Sequence, residues 1–194
     1  MTRFLWIAIS TAFFAGCIAS APARFYTLMP TNKPVATQAP LGESAKVIAV
    51  GPVTIPAALD QPQLVVSVGG HEVEVLEEHR WAAPLKDEIT SALAARLSGL
   101  VSNATVTAYG QSAALNPNVR VLVDVSRFEL RPKKGVVLDA LWMIKPSDSA
   151  KEGRRGRTNL EVPSADDDYA SLATAQGRAL DALARDIAAA LKAL

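Results

Sequence analysis

Most of the residue types that carry chemistry are scarce in this 194-residue chain. A single cysteine, Cys17, excludes an internal disulfide framework and a multi-thiolate metal site. His71 and His79 are the only histidines, neither has a cysteine nearby, and their spacing matches no metal-ligand pattern. Aromatic residues make up 6% of the chain, too few for a stacking surface for bases or sugars. Charge of one sign is also lacking: 20 basic residues stand against 19 acidic ones, without the strongly basic face that nucleic acid usually needs. The run from Phe4 to Ala15, broken only by Ser10 and Thr11, is shorter than the about 20 apolar residues of a membrane-spanning helix. No Gly-x-Ser-x-Gly elbow, phosphate-binding glycine loop or His-Glu-x-x-His helix occurs. Enzyme chemistry has no visible foothold.

What the chain does have is an address. Arg3 followed by the Phe4–Ala15 run has the charge and length of an export signal. The run ends in Phe14-Ala15-Gly16-Cys17, which has the form of a bacterial lipobox, with Phe14 where leucine is more frequent. Cleavage after Gly16 is expected, leaving Cys17 with a diacylglycerol on its sulfur and an acyl group on its amine. No other cofactor and no metal are expected. Ile18, rather than an aspartate, follows the cysteine, which in the usual enterobacterial sorting pattern directs the protein to the outer membrane, facing the periplasm. Residues 18–23 then span at most about 20 Å, holding the domain close to the bilayer. The expected organisation is a signal peptide over 1–16, a lipidated cysteine and tether over 17–23, and one domain over 24–194. Losing Arg3 with the leader leaves 19 basic against 19 acidic residues.

Arg24 to Leu28 alternates as a short strand, and prolines 30, 34 and 40 mark Pro30 to Gly42 as an irregular loop. Lys46 to Ile55 is nearly all apolar, the pattern of a strand in a sheet covered on both faces, with an exit or bulge at Gly51-Pro52. Pro56 to Pro62 reads as a turn or one helical turn. Leu64–Val68 and Glu72–Leu76 flank Gly69-Gly70-His71 as a hairpin. Pro84, Asp87 and Glu88 open a helix with a Leu85, Ile89, Leu93, Leu97 stripe, which Gly99 ends. Ala104 to Ala108 is a strand and Gly110 to Asn118 a loop. In Val119–Arg131 the apolar phase slips between Val125 and Phe128, which predicts a β-bulge near Ser126-Arg127. Val136 to Ile144 returns as its partner, Asp148 to Arg157 reads as a polar loop, and Thr158 to Val162 as an edge strand. A terminal helix is predicted from a capping-box-like Ser164-Ala165-Asp166-Asp167 to about Ala193, with Leu172, Ala179, Leu183 and Ile187 as its apolar face. The fold expected is α/β: a single domain with a mixed, mostly antiparallel sheet and two main helices packed against it.

Two charged clusters have plain and functional readings. Asp166-Asp167-Asp168 suits a helix start as well as a cation. Arg154-Arg155-Gly156-Arg157 suits a solvated loop as well as phospholipid headgroups.

Two segments are more specific together: Val50-Gly51-Pro52-Val53-Thr54-Ile55-Pro56, running on to Leu59-Asp60-Gln61-Pro62-Gln63-Leu64-Val65, and His79-Arg80-Trp81-Ala82-Ala83-Pro84-Leu85. With the lipobox, Phe25-Tyr26-Thr27-Leu28, Arg127-Phe128-Glu129 and Leu138-Asp139-Ala140-Leu141-Trp142, the mature chain resembles the ABC-type transport auxiliary lipoprotein family. Gln61 and Ser67 stand where that family often has arginine. The resemblance implies a non-enzymatic accessory subunit in a lipid transport system between inner and outer membranes, contributing to membrane integrity. It implies as partners a periplasmic MCE-domain protein and an inner-membrane component, and a homo-oligomeric assembly. Gly51, Pro52, Leu59, Asp60, Gln61, Pro62, Arg80 and Trp81 are then candidates for partner binding, or simply specify the fold. Competing readings are an outer-membrane assembly scaffold and a hydrolase whose histidine, acid and nucleophile are scattered in sequence.

Overall fold

In a computed structural model of the protein, residues 22–30 and 46–194 are described; Gly16, Cys17 and most of the Pro30–Gly42 loop lie outside them. The longest strand, β6 (Val119–Arg131), sets the layout. One edge of β6 pairs along its whole length with antiparallel β7 (Gly135–Pro146), from Val119↔Pro146 to Arg131↔Gly135. Its other edge is shared by two strands. Parallel β2 (Lys46–Thr54) takes the first half, from Ile48↔Val119 to Thr54↔Asp124. Parallel β3 (Gln63–Gly69) takes the far end at Val66↔Leu130.

The sheet therefore forks at β6. Beyond β2 lies parallel β5 (Ala104–Ala108), and beyond β3 lie antiparallel β4 (Glu72–Trp81) and then parallel β1 (Arg24–Tyr26). On the other side β8 (Arg154–Val162) runs antiparallel to β7. This is the mixed sheet expected, its long ladders antiparallel.

Both helices cover one face of it. Pro84 precedes α1 (Leu85–Ser98), Asp87 and Glu88 sit in its first turn, and Leu85, Ile89, Leu93 and Leu97 are buried. The terminal α2 (Tyr169–Lys192) buries Leu172, Ala179, Leu183 and Ile187 against β6, β7 and β8. The alternate residues of the central strands, from Val121, Val123 and Val125 to Phe128, Leu130, Leu138 and Ala140, complete one core. The predicted bulge is present, as a register shift between Val125 and Arg127 that returns Phe128 to the helix side.

Three expectations are corrected. The apolar run of β2 is not covered by helices on both faces: Ile48 and Val50 join the core, while Ala49 is small and is enclosed by the flanking β5 and β6. Strand β8 starts at Arg154, four residues before the predicted Thr158. Gly156 permits this, because a Cβ there would stand 2.2 Å from Trp142 Cζ2. The tryptophan ring occupies that space and donates its Nε1–H to Thr158 Oγ1 at 3.3 Å, while Thr158 donates to Asp186 of α2 at 2.6 Å. Finally, α2 starts at Tyr169 rather than at Ser164. Asp168, not Ser164, is the N-cap, accepting from the Ser171 amide at 2.8 Å.

Candidate functional site

The strand nearest the predicted anchor is fastened more strongly than its three residues suggest. β1 pairs with the end of β4 (Arg24↔His79, Phe25↔Arg80, Tyr26↔Trp81), a short ladder at the sheet's edge. The next residues are gripped by two charges from α1. The Leu28 amide donates to Glu88 Oε2 at 2.8 Å, and the Thr27 hydroxyl donates to the same oxygen at 2.9 Å. The Leu28 carbonyl accepts from Arg96 Nη1 at 2.9 Å. Arg96 also donates to Asp181 at 2.5 Å and to the Gly177 carbonyl at 3.2 Å, so it ties β1, α1 and α2 at one point. Glu88 and Arg96 are 6% and 7% exposed, and Leu28 is 1% exposed. Charge-assisted bonds to backbone groups away from water are the strong kind. This clamp is the principal feature that sequence reasoning missed. Its one signal is that Glu88, Ala92 and Arg96 form an i, i+4 ladder beside the apolar stripe of α1.

Next to the clamp, three rings meet across β1, β4 and α2, Tyr26 stacked on His79 and Tyr169 tilted against it. The Tyr26 hydroxyl lies 2.7 Å from His79 Nδ1, and the His79 ring stands 4.3 Å from that of Tyr169. Burial holds the Tyr26 hydroxyl above its ordinary pKa. Arg24, Glu78 and Asp168 line the cleft beside them. The other histidine, His71, is exposed at the far end of β4, about 25 Å away at roughly 3.3 Å per residue. The two histidines therefore serve no common site.

The candidate partner-binding residues fall into two groups. Leu59, Asp60, Gln61, Pro62, Arg80 and Trp81 come together where β4 meets α1. Trp81 is buried and donates its amide to the Pro62 carbonyl at 2.8 Å. Asp60 holds Lys86 at 2.5 Å, Gln61 folds back onto the Ala58 carbonyl, and Arg80 donates to the Glu77 carbonyl. Gly51 and Pro52 lie elsewhere, on the branch of the sheet that carries β5. Gly51 has φ +117°, and a Cβ there would stand 2.7 Å from Tyr109 Cβ, so this position requires glycine. Proline at 52 donates no ladder bond, and the β2–β6 register shifts between Val50 and Val53.

The face of the sheet away from the helices carries an ionic ladder. Arg127 forks onto Glu129 at 2.7 and 3.0 Å, and Arg131 joins Glu129 to Glu161. Arg157 forks onto Asp139 at 2.8 and 2.5 Å. Hydrogen bonds from Arg127 and Arg157 hold the Glu129 and Asp139 carboxyls below the ordinary carboxylate range. Thus part of the Arg154–Arg157 cluster is committed within the fold: Arg157 pairs with Asp139 of the sheet, and Arg154 donates to the Ala193 carbonyl at the end of α2 at 2.7 Å. The Asp166–Asp168 run is likewise a helix start, with Asp168 as its cap. Among the described residues no group of His, Cys, Asp and Glu is placed to hold a metal ion.

The described residues thus form a forked mixed sheet with two helices on one face and its first strand bolted to the core, and no helix among them is long and apolar enough to cross a membrane. The chain belongs to the family of ABC-type transport auxiliary lipoprotein components, whose family model matches residues 26–188. Two solved structures share the fold. One, described only as an uncharacterized protein, is 18% identical with a TM-score of 0.70, over 87% of this chain and 98% of its own. The other, a Xanthomonas campestris protein assigned to family DUF330, is also 18% identical with a TM-score of 0.58, over 86% and 93%. No curated protein matches the chain.

Proposed function

We propose that the protein is a non-enzymatic accessory subunit of an MCE-type lipid transport system, anchored to the outer membrane through Cys17 and working on the periplasmic side. Membership of the auxiliary lipoprotein family over residues 26–188 is the observation that carries this reading. The structure supports it mechanically. Glu88 and Arg96 fix Leu28 to the core only five residues after the predicted tether ends at Ala23, so little chain beyond the tether is left to lengthen the reach of an anchored domain from the bilayer. Its partners are a periplasmic MCE-domain protein, an inner-membrane component and further copies of itself. The turn at Asp60–Pro62 and the surface at Pro52 are among the parts of the motif segments left open to solvent for such contacts.

Crosslinking in intact membranes followed by purification of the lipoprotein tests the partner. Recovery of an MCE-domain protein is the expected result; recovery of a β-barrel protein in its place refutes it in favour of an assembly scaffold. The anchor has its own test: a Cys17→Ser chain should stay unprocessed, and normal processing with membrane fractionation would overturn the lipobox reading.

A further inference from the structure

On the helix side of the sheet a groove of about 620 Å³ runs along α2, floored by Ala170, Ala173, Thr174 and Gly177. Phe25 and Met29, 65% and 42% exposed, form one wall, and Leu100 beyond the end of α1 stands on the other. From Ala170 to Arg185 the helix rises roughly 22 Å. Polarity changes along this length. At the Ala170 end, near Phe25, the two hydroxyls of the lining, those of Tyr26 and Thr27, are spent on His79 and Glu88. Further along, Asp181 is neutralised by Arg96, leaving Arg178 and Arg185 in basic excess. Arg178 spends one donor on the Pro163 carbonyl, and Arg185 has no hydrogen-bond or ion-pair partner among the described residues.

We propose that this groove holds one acyl chain of an anionic phospholipid, with the phosphate against Arg178 and Arg185. The proposal deepens the lipid-transport reading, on which it rests, by naming a lipid-contact site. Three observations select this occupant. The volume lies within the about 300–1,000 Å³ of small-molecule sites, and the length admits a chain of roughly 15 Å, half the hydrocarbon core of a bilayer, with a headgroup beyond it. The charged donors not fully spent within the fold, those of Arg178 and Arg185, are confined to one end. A peptide would need hydrogen-bonding groups spread along the floor, yet the one floor hydroxyl, that of Thr174, is turned back onto the Ala170 carbonyl at 2.9 Å. Lastly, the wall carrying Phe25 and Met29 belongs to the segment that follows the predicted tether, so in an anchored chain the groove would lie at the membrane-proximal end of the domain.

The test uses the mature lipoprotein in vesicles of phosphatidylglycerol or of phosphatidylcholine, each carrying a photoactivatable acyl chain, with adducts mapped by mass spectrometry. The expected result is labelling of the peptides spanning 25–30 and 170–185, several-fold stronger with phosphatidylglycerol. Thr174→Trp, which fills the floor, and the double variant Arg178→Glu/Arg185→Glu each lower it several-fold. All three side chains are exposed, and circular dichroism checks that the variants fold. Adducts confined to residues 17–23, equal labelling by the two lipids, or labelling indifferent to Thr174→Trp would overturn the groove. Groove labelling of a chain that proves not to be lipidated upholds the site while refuting the anchor, so the two ideas fail separately.

Discussion

Replacing Arg96 with methionine isolates the clamp. Methionine keeps an unbranched apolar stem in the space between α1 and α2 and removes only the guanidinium. The Leu28 carbonyl then loses its charged donor in a buried setting, a loss of about 1.5–3 kcal/mol. The Gly177 carbonyl loses a longer bond of 3.2 Å. Asp181 is 43% exposed and returns to water, so its ion pair adds at most roughly 1 kcal/mol. The sum is about 2–4 kcal/mol, a large share of the about 5–15 kcal/mol that holds a domain folded. For a domain of this size it lowers Tm by roughly 5–12 °C. Urea titration followed by circular dichroism gives the stability change, and hydrogen exchange at Leu28 gives the local one. Glu88→Gln, which keeps the shape and loses the charge, should cost less. The double variant should cost less than the two single changes added, because both residues hold the backbone of the same residue, Leu28. A loss below about 1 kcal/mol for Arg96→Met, or unchanged exchange protection at Leu28, would show that β1 is held by its ladder and by core packing alone.

Three further outcomes follow from the same geometry. Gly156→Ala drives a methyl into the Trp142 ring and should destabilise by about 1–3 kcal/mol, seen as a lower urea midpoint; an unchanged midpoint means the ring moves freely. Gln176, 1% exposed, has a buried Oε1 with no hydrogen-bond partner, so Gln176→Met should raise stability by about 1 kcal/mol, and a fall would show that the amide is satisfied by water. Glu129, Asp139 and Asp168 have folded pKa values below their ordinary ones, so the stability they add is complete above about pH 4–4.5 and is lost as pH falls through the folded values. Denaturation midpoints should be flat from neutrality to about pH 5 and then drop, and Arg157→Gln should soften that drop; an identical acid limb in the variant would remove the Arg157–Asp139 pair as a cause.

The sequence announced elements whose signal is local and periodic. The slip from Val125 to Phe128 is a change of side-chain phase, and it forecast the β6 bulge because strand alternation leaves no other way to keep Phe128 in the core. The stripe of α1 and the Gly69-Gly70-His71 hairpin were legible for the same reason. The failures are long-range. Arg154 to Arg157 looks like a loop until Trp142, on another strand, supplies the surface that Gly156 accommodates and Asp139 supplies the partner for Arg157. The helix start at Tyr169 was displaced because Ser164, Asp166 and Asp168 are all plausible caps, and only the fold decides among them. Glu88 and Arg96 are ordinary surface residues by composition; what makes them central is a backbone segment some sixty residues earlier. The motif residues proved easier to recognise than to assign, since Trp81, Gly51 and Asp60 are all engaged in holding the chain's own turns.

The clamp also sets how the domain would bear load. A pull on the chain before Arg24 acts on a three-residue edge ladder, which alone would peel rung by rung. Because the very next residues are bonded to α1 and, through Arg96, to α2, the force passes into the helix layer and from there to the sheet. An anchored subunit tugged by a moving partner would then yield elsewhere before its attachment strand came away.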